Sequence, residues 1–183
     1  MIRWLVLLSV LWAAENALGC PPIVSRAQWG ARGSTCKTRL RTPVPGVIIH
    51  HSAGASCNNR MSCIPQVKGI QNLHMNSKKW CDVGYHFLIT EDGTIYEGRG
   101  WTTHGSHAKN FNSNLGICFV GTFTNRVPNI AALNAAKNLI QCGVARKLII
   151  GDYRLRGHRN VNPTECPGNS LYNVIKGWPH FKA

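Results

Sequence analysis

Apolar positions along this chain change period several times, and each period predicts an element. Val47-Ile48-Ile49 is a short β-branched run, read as a buried strand that ends in His50-His51-Ser52. Ile64, Val67, Ile70 and Leu73 or His74 recur at helical spacing, with Pro65 expected in the first turn. Tyr85 to Thr90 and Thr94 to Glu97 are strand-like runs around Asp92-Gly93, a strong hairpin signal. Leu115 to Phe123 reads as another buried strand. Ile130 to Ala145 carries Ala132, Ala135, Ala136, Leu139 and Ile140 on one face, with Pro128 and Asn129 at its start, and predicts an amphipathic helix. Leu171, Val174, Ile175 and Trp178 repeat the pattern before Pro179. Helices interspersed with strands give an α/β fold, a single domain with a central mixed sheet flanked by about three helices.

The N-terminus changes the compartment. Arg3 followed by the apolar stretch Leu5 to Ala14 reads as a signal peptide, too short to span a bilayer comfortably. Small residues place cleavage near Ala17 to Gly19. Ala17-Leu18-Gly19-Cys20 loosely resembles a lipoprotein box, with the leucine one place off. The expected division is residues 1–19 as signal, 20–45 as an irregular extension rich in Pro, Gly and Thr, and 46–183 as the functional domain. No later apolar run is long enough to span a membrane, so a soluble, extracellular chain without membrane insertion is expected. Secretion in turn favours disulfides among the eight cysteines, all of which follow the signal. Spacing does not fix their connectivity; only Cys57 and Cys63 suggest a local pair.

The formal charge is +14, from 21 basic and seven acidic residues. It favours anionic partners at long range. A secreted, cysteine-rich chain rarely meets nucleic acid, so anionic bacterial cell walls fit better. A solvated basic face without a specific partner is the plainer reading.

His158 through Gly168 puts a histidine and Cys166 on one loop, and imidazole and thiolate are favoured zinc donors. Two protein ligands are too few. His50, leaving a buried strand, is the natural third, and three ligands leave a place for water. Spacing alone carries this weakly: Cys166 also suits a bridge to Cys118, and His50 a core position bonded to a carbonyl.

Several blocks together resemble the peptidoglycan recognition protein family, which is similar to the phage-type amidases. They are Ile48 to Gly54, Trp80 to Ile89, Asp92 to Trp101, Gly105-Ser106-His107, Gly116 to Gly121 and Gly157 through Gly168. The match runs in order from about residue 20 to residue 181, and is nearest to the short secreted type. The resemblance implies an N-acetylmuramoyl-L-alanine amidase of innate immunity that binds bacterial peptidoglycan and cuts between N-acetylmuramic acid and L-alanine. It implies His50, His158 and Cys166 as Zn2+ ligands. Tyr85 matches the tyrosine that assists the water and the oxyanion, and Thr164 stands where phage-type relatives carry an assisting lysine. His74, Lys78, Trp80, Tyr85, His107 and Asn112 match residues that contact sugar and stem peptide. Lys79 stands where many members carry Gly or Asn, positions linked to stem-peptide preference. The family pattern pairs Cys20 with Cys142, Cys36 with Cys81 and Cys57 with Cys63, leaving Cys118 as a buried thiol. Members that bind without cutting commonly replace the ligand cysteine, and Cys166 is kept here. Such a non-catalytic or directly bactericidal receptor is the rival reading.

Overall fold

The computed structural model describes residues 19–183, so the expected signal lies outside the described residues apart from Gly19. Six strands form one mixed sheet: β1 (Ile23–Val24), β2 (Val44–His51), β3 (Phe87–Ile89), β4 (Ile95–Glu97), β5 (Leu115–Phe119) and β6 (Ile149–Gly157). Their order is β1-β4-β3-β5-β2-β6, and only the β3–β4 hairpin is antiparallel. Three helices flank the sheet: α1 (Arg60–Asn72), α2 (Ile130–Ala145) and α3 (Asn169–Ile175). β2 lies between β5 and β6 with both faces covered, so it reads as an almost unbroken apolar run rather than an alternating one.

Two cores lie on opposite faces of the sheet. Val47, Ile49, Ile117 and Phe119 pack with Ala136, Leu139, Leu171 and Ile175 beneath α2 and α3. Leu88, Cys118 and Val120 pack with Val67 of α1, Val83 and Trp29 on the other. Truncating an aromatic such as Phe119 to alanine in a site this closed costs about 3–5 kcal/mol.

Segment 20–45 is mostly irregular, yet it is built into the second core. It supplies the edge strand β1, and the Trp29 ring is buried while its Nε1–H donates to the Glu97 carbonyl at 2.9 Å. β2 also begins inside it, at Val44. The bridges Cys20–Cys142, Cys36–Cys81 and Cys57–Cys63 fasten the chain, the first across a sequence separation of 122. Cys118 and Cys166 remain free and buried.

Several local expectations shift, and α3 ends at Ile175 rather than running through Trp178 to Pro179. α1 starts a turn earlier than expected, so Pro65 sits in its second turn. The Asn59 side chain accepts the Ser62 N–H at 3.0 Å and fixes the earlier start. The run at Leu115 leaves the sheet after Phe119. β6 was not visible in the pattern, because Gly151 and Asp152 interrupt it where its register against β2 slips between Val44 and Gly46. Among the described residues, no helix is long and apolar enough to cross a membrane.

Candidate metal centre and substrate cleft

β2 and β6 run parallel with Ile49 opposite Gly157. The next residue on each chain is a histidine, so His50 and His158 emerge side by side at the carboxyl ends of neighbouring strands. This is where open α/β sheets gather their ligand sites. Strand alternation turns His50 to the Cys118 side of the sheet, since these two residues are paired in register. It turns His51 to the opposite side, where His51 Nδ1 accepts the Phe123 N–H at 3.2 Å. Of the two adjacent histidines, only His50 can face His158.

The third donor returns on the loop after a short 3-10 turn at His158–Asn160. Arg159 N–H donates to the Cys166 carbonyl at 2.9 Å and closes that loop on itself. The Arg159 guanidinium also donates to the Glu165 carbonyl and, at 2.8 Å, to Asn169 Oδ1. Thr164 Oγ1 accepts the Cys166 N–H at 3.2 Å. These bonds aim the sulfur inward, and the donor atoms of His50, His158 and Cys166 all lie within 4.8 Å of one another. Cys166 Sγ is 3.7 Å from His50 Nδ1 and accepts the His51 N–H at 3.3 Å.

Burial dominates the electrostatics. Desolvation, with His107 and His158 nearby, holds His50 well below the usual imidazole range. Burial pushes the Cys166 thiol up to about 12, against the opposing pull of the His51 N–H and Arg159. Two imidazoles and a thiol thus converge where the protein's own cationic pull, from Arg159, is outweighed by burial and does not keep a thiolate. A divalent ion held by these three residues would supply the balancing charge and invert the preference of the thiol. Donor type and number are consistent with a zinc site that keeps an open position.

A cleft of about 450 Å³ opens beside the three donors, lined by Trp80, Ser106, His107, Ala108, Lys109, Asn112, His158 and Asn162. Trp80 is half-buried and forms one wall. His74 lies behind it with ring centroids 4.7 Å apart, and the Lys78 ammonium stands 5.3 Å over the indole. His74 is placed by an irregular turn. α1 widens into a π-turn at Leu73–Ser77, which buries His74 and leaves Leu73 exposed, and His74 Nδ1 accepts the Gly84 N–H at 2.9 Å. Burial and the neighbouring Lys78 bring His74 down to about 4. The Tyr85 ring sits 5.1 Å from His50 and 5.4 Å from His74, and burial holds its phenol well above its ordinary range, fully protonated.

The structure therefore brings His50, His158, Cys166, Tyr85, Thr164, His74, Lys78, Trp80, His107 and Asn112 into one neighbourhood. Two of these also have structural employment. His107 is buried and bonds His50, and Asn112 Oδ1 accepts the N–H groups of His107 at 2.7 Å and Ala108 at 2.9 Å. Ser106, Lys109 and Asn162 were not singled out from sequence, and nothing short of the folded loop marks them. Glu165, beside the ligand loop, carries an 88% exposed side chain 4.0 Å from Arg159 and does not reach the cluster.

Residues 40–169 match the family model described as N-acetylmuramoyl-L-alanine amidase. The chain is 46% identical over 184 residues to peptidoglycan recognition protein 1 of Bos indicus, covering 99% of this chain and 95% of that one. It is 46% identical over 180 residues to peptidoglycan-recognition protein SC2 of Drosophila simulans, covering 98% and 97%. The solved structure of human PGRP-IBETAC in complex with glycosamyl muramyl pentapeptide superposes with a TM-score of 0.87 at 46% identity, covering 90% of this chain and 100% of that one. Drosophila PGRP-LB superposes with a TM-score of 0.86 at 41% identity, covering 88% and 96%. Identity near one half along almost the whole length, on a shared backbone, means that this chain belongs to the peptidoglycan recognition protein family.

Proposed function

We propose that the chain is a secreted, zinc-dependent N-acetylmuramoyl-L-alanine amidase that binds bacterial peptidoglycan in innate immunity. The observation that carries this reading is the convergence of His50, His158 and Cys166 at the head of the cleft. Zinc, when bound, supplies Lewis acidity to an amide carbonyl and lowers the pKa of water towards about 7. The family match and the solved relative in complex with a muramyl pentapeptide support the substrate class. Three disulfides suit an oxidising, extracellular compartment.

The chain's own residues orient and stabilise. Trp80 offers a flat wall to sugar or peptide, and Lys78 beside it is a point charge for a stem-peptide carboxylate. The Tyr85 hydroxyl, kept protonated by burial, donates to the oxyanion that develops on the lactyl carbonyl. Thr164 holds Cys166 through its oxygen and keeps its own O–H free to donate. Water adds its oxygen to the lactyl carbon, the C–N bond breaks, and both water protons end on the departing L-alanine nitrogen as an ammonium. The lactyl carboxylate remains on the sugar.

The test is product identity. Incubating the zinc-loaded chain with a defined muramyl pentapeptide should release free pentapeptide with an unblocked L-alanine, seen by mass spectrometry and abolished by chelator. Tight binding with the amide left whole would instead mark a receptor.

A further inference from the structure

His50 and His158 can each present either ring nitrogen to an ion, and a metal site works only if both present the correct one. The hydrogen bonds behind them decide this. His107 Nε2 lies 3.1 Å from the Asn114 carbonyl, which can only accept, so His107 carries its proton on Nε2. With that proton on Nε2, the ring turns its lone-pair nitrogen, Nδ1, towards His50. His50 Nε2 lies 2.9 Å from that nitrogen and must donate to it. The lone pair of His50 is left on Nδ1, the atom 3.7 Å from Cys166 Sγ. His158 follows the same logic. Asn162 Nδ2 donates to the Lys109 carbonyl at 3.2 Å, which turns Asn162 Oδ1 towards His158 Nε2 at 3.1 Å. That oxygen can only accept, so His158 also keeps its lone pair on Nδ1.

Both chains of bonds end on one loop, His107–Asn114. The loop is stiffened by Asn112, whose side-chain oxygen takes two backbone N–H groups and whose carbonyl accepts from Gly105 N–H at 3.0 Å. The His107 ring is clamped between two glycines. A Cβ at Gly105 would lie 2.5 Å from His107 Cδ2, and one at Gly116 would lie 2.6 Å from it. The ring is thus held edge-on to His50, at 87° and 4.9 Å between centroids.

We propose that the His107–Asn114 loop is a tautomer lock, with His107 and Asn162 as positioning residues that fix Nδ1 of His50 and of His158 as the metal-facing atoms. The proposal rests on the zinc reading above for its purpose, but the tautomers are a property of the chain itself. Partners of this kind orient metal-ligating imidazoles and raise their basicity, and losing one costs about 10–100-fold in metal affinity.

The test has two arms. In the first, long-range 15N–1H correlation spectra of the metal-free, unmutated chain at neutral pH should show His50, His107 and His158 as neutral imidazoles protonated on Nε2. A proton on Nδ1 of His50 or His158 would overturn the proposal. In the second, zinc affinity is measured by chelator competition. His107→Ala and Asn162→Ala should each bind zinc about 10–100-fold more weakly, and Asn162→Asp, which can still accept the same N–H, should recover most of the loss. Alanine variants that fold and hold zinc within about twofold of the parent would overturn it. If the parent itself binds no zinc, the amidase reading fails, and the spectra still decide the lock.

Discussion

Lys79 adopts a left-handed backbone at φ 57, a conformation that costs an L side chain about 1 kcal/mol and that Gly or Asn accepts more readily. Gly or Asn at this position, the pattern the family resemblance leads one to expect, therefore has a backbone reason as well as one in substrate preference. Lys79→Gly should stabilise the fold by up to about 0.5 kcal/mol in denaturant titration, the relief of strain slightly exceeding the added unfolded-state entropy. A loss of stability would mean that the Lys79 side chain makes a contact worth more than the strain. Tyr85 presents a different residue-scale question. Tyr85→Phe keeps the ring beside His50 and removes only the hydroxyl, so zinc content should be unchanged while turnover falls by about 10²–10³. Turnover within a factor of two or three of the parent would remove Tyr85 from the oxyanion role. At this scale the sequence was legible through family resemblance rather than spacing. His50 meets the loop that carries His158 and Cys166 because β2 and β6 run parallel with Ile49 opposite Gly157. His107 was read as a substrate contact, and its bond to His50 was hidden because no sequence pattern says which nitrogen of a buried ring meets which partner.

Elements with a clean period were read well. α2 runs over the residues its alanine- and leucine-rich face predicts, and the Asp92-Gly93 hairpin joins β3 to β4, with Asp92 Oδ1 accepting the Thr94 N–H at 3.1 Å. Elements shaped by an irregularity were not. The register slip against β2 broke the alternation of β6, and the side-chain cap at Asn59 moved the start of α1 ahead of Pro65. β5 offers a test of how elements position the site. Gly116 on this strand gives the His107 ring its room, so Gly116→Ala should drive a methyl into the ring. Overpacking of this kind costs about 1–3 kcal/mol of stability. The same variant should weaken zinc binding although it touches no ligand. A stable Gly116→Ala protein with parental zinc affinity would show that the ring has room to move without consequence.

Across the whole molecule, the proposed attraction, binding and cutting rest on different parts. The charge of +14 is spread over the chain and would act at a distance on the polyanionic walls proposed as its target. The cleft is built from Trp80 and the 106–112 loop together with His158 and Asn162, and on the amidase reading cutting would depend on the three donors His50, His158 and Cys166 beside it. A single sulfur should therefore separate the last function from the first two. Cys166→Ser replaces a favoured zinc donor with a hydroxyl that does not ionise readily, within a loop still closed by Arg159 N–H and Thr164. The decisive measurement follows one muramyl pentapeptide against parent and Cys166→Ser proteins side by side, recording bound and released peptide by mass together with zinc per chain. The amidase account predicts about one zinc and steady peptide release for the parent, and for the variant little zinc, no release and muropeptide binding largely intact. A Cys166→Ser protein that still cuts at close to the parent rate, or a zinc-loaded parent that never cuts, would contradict it.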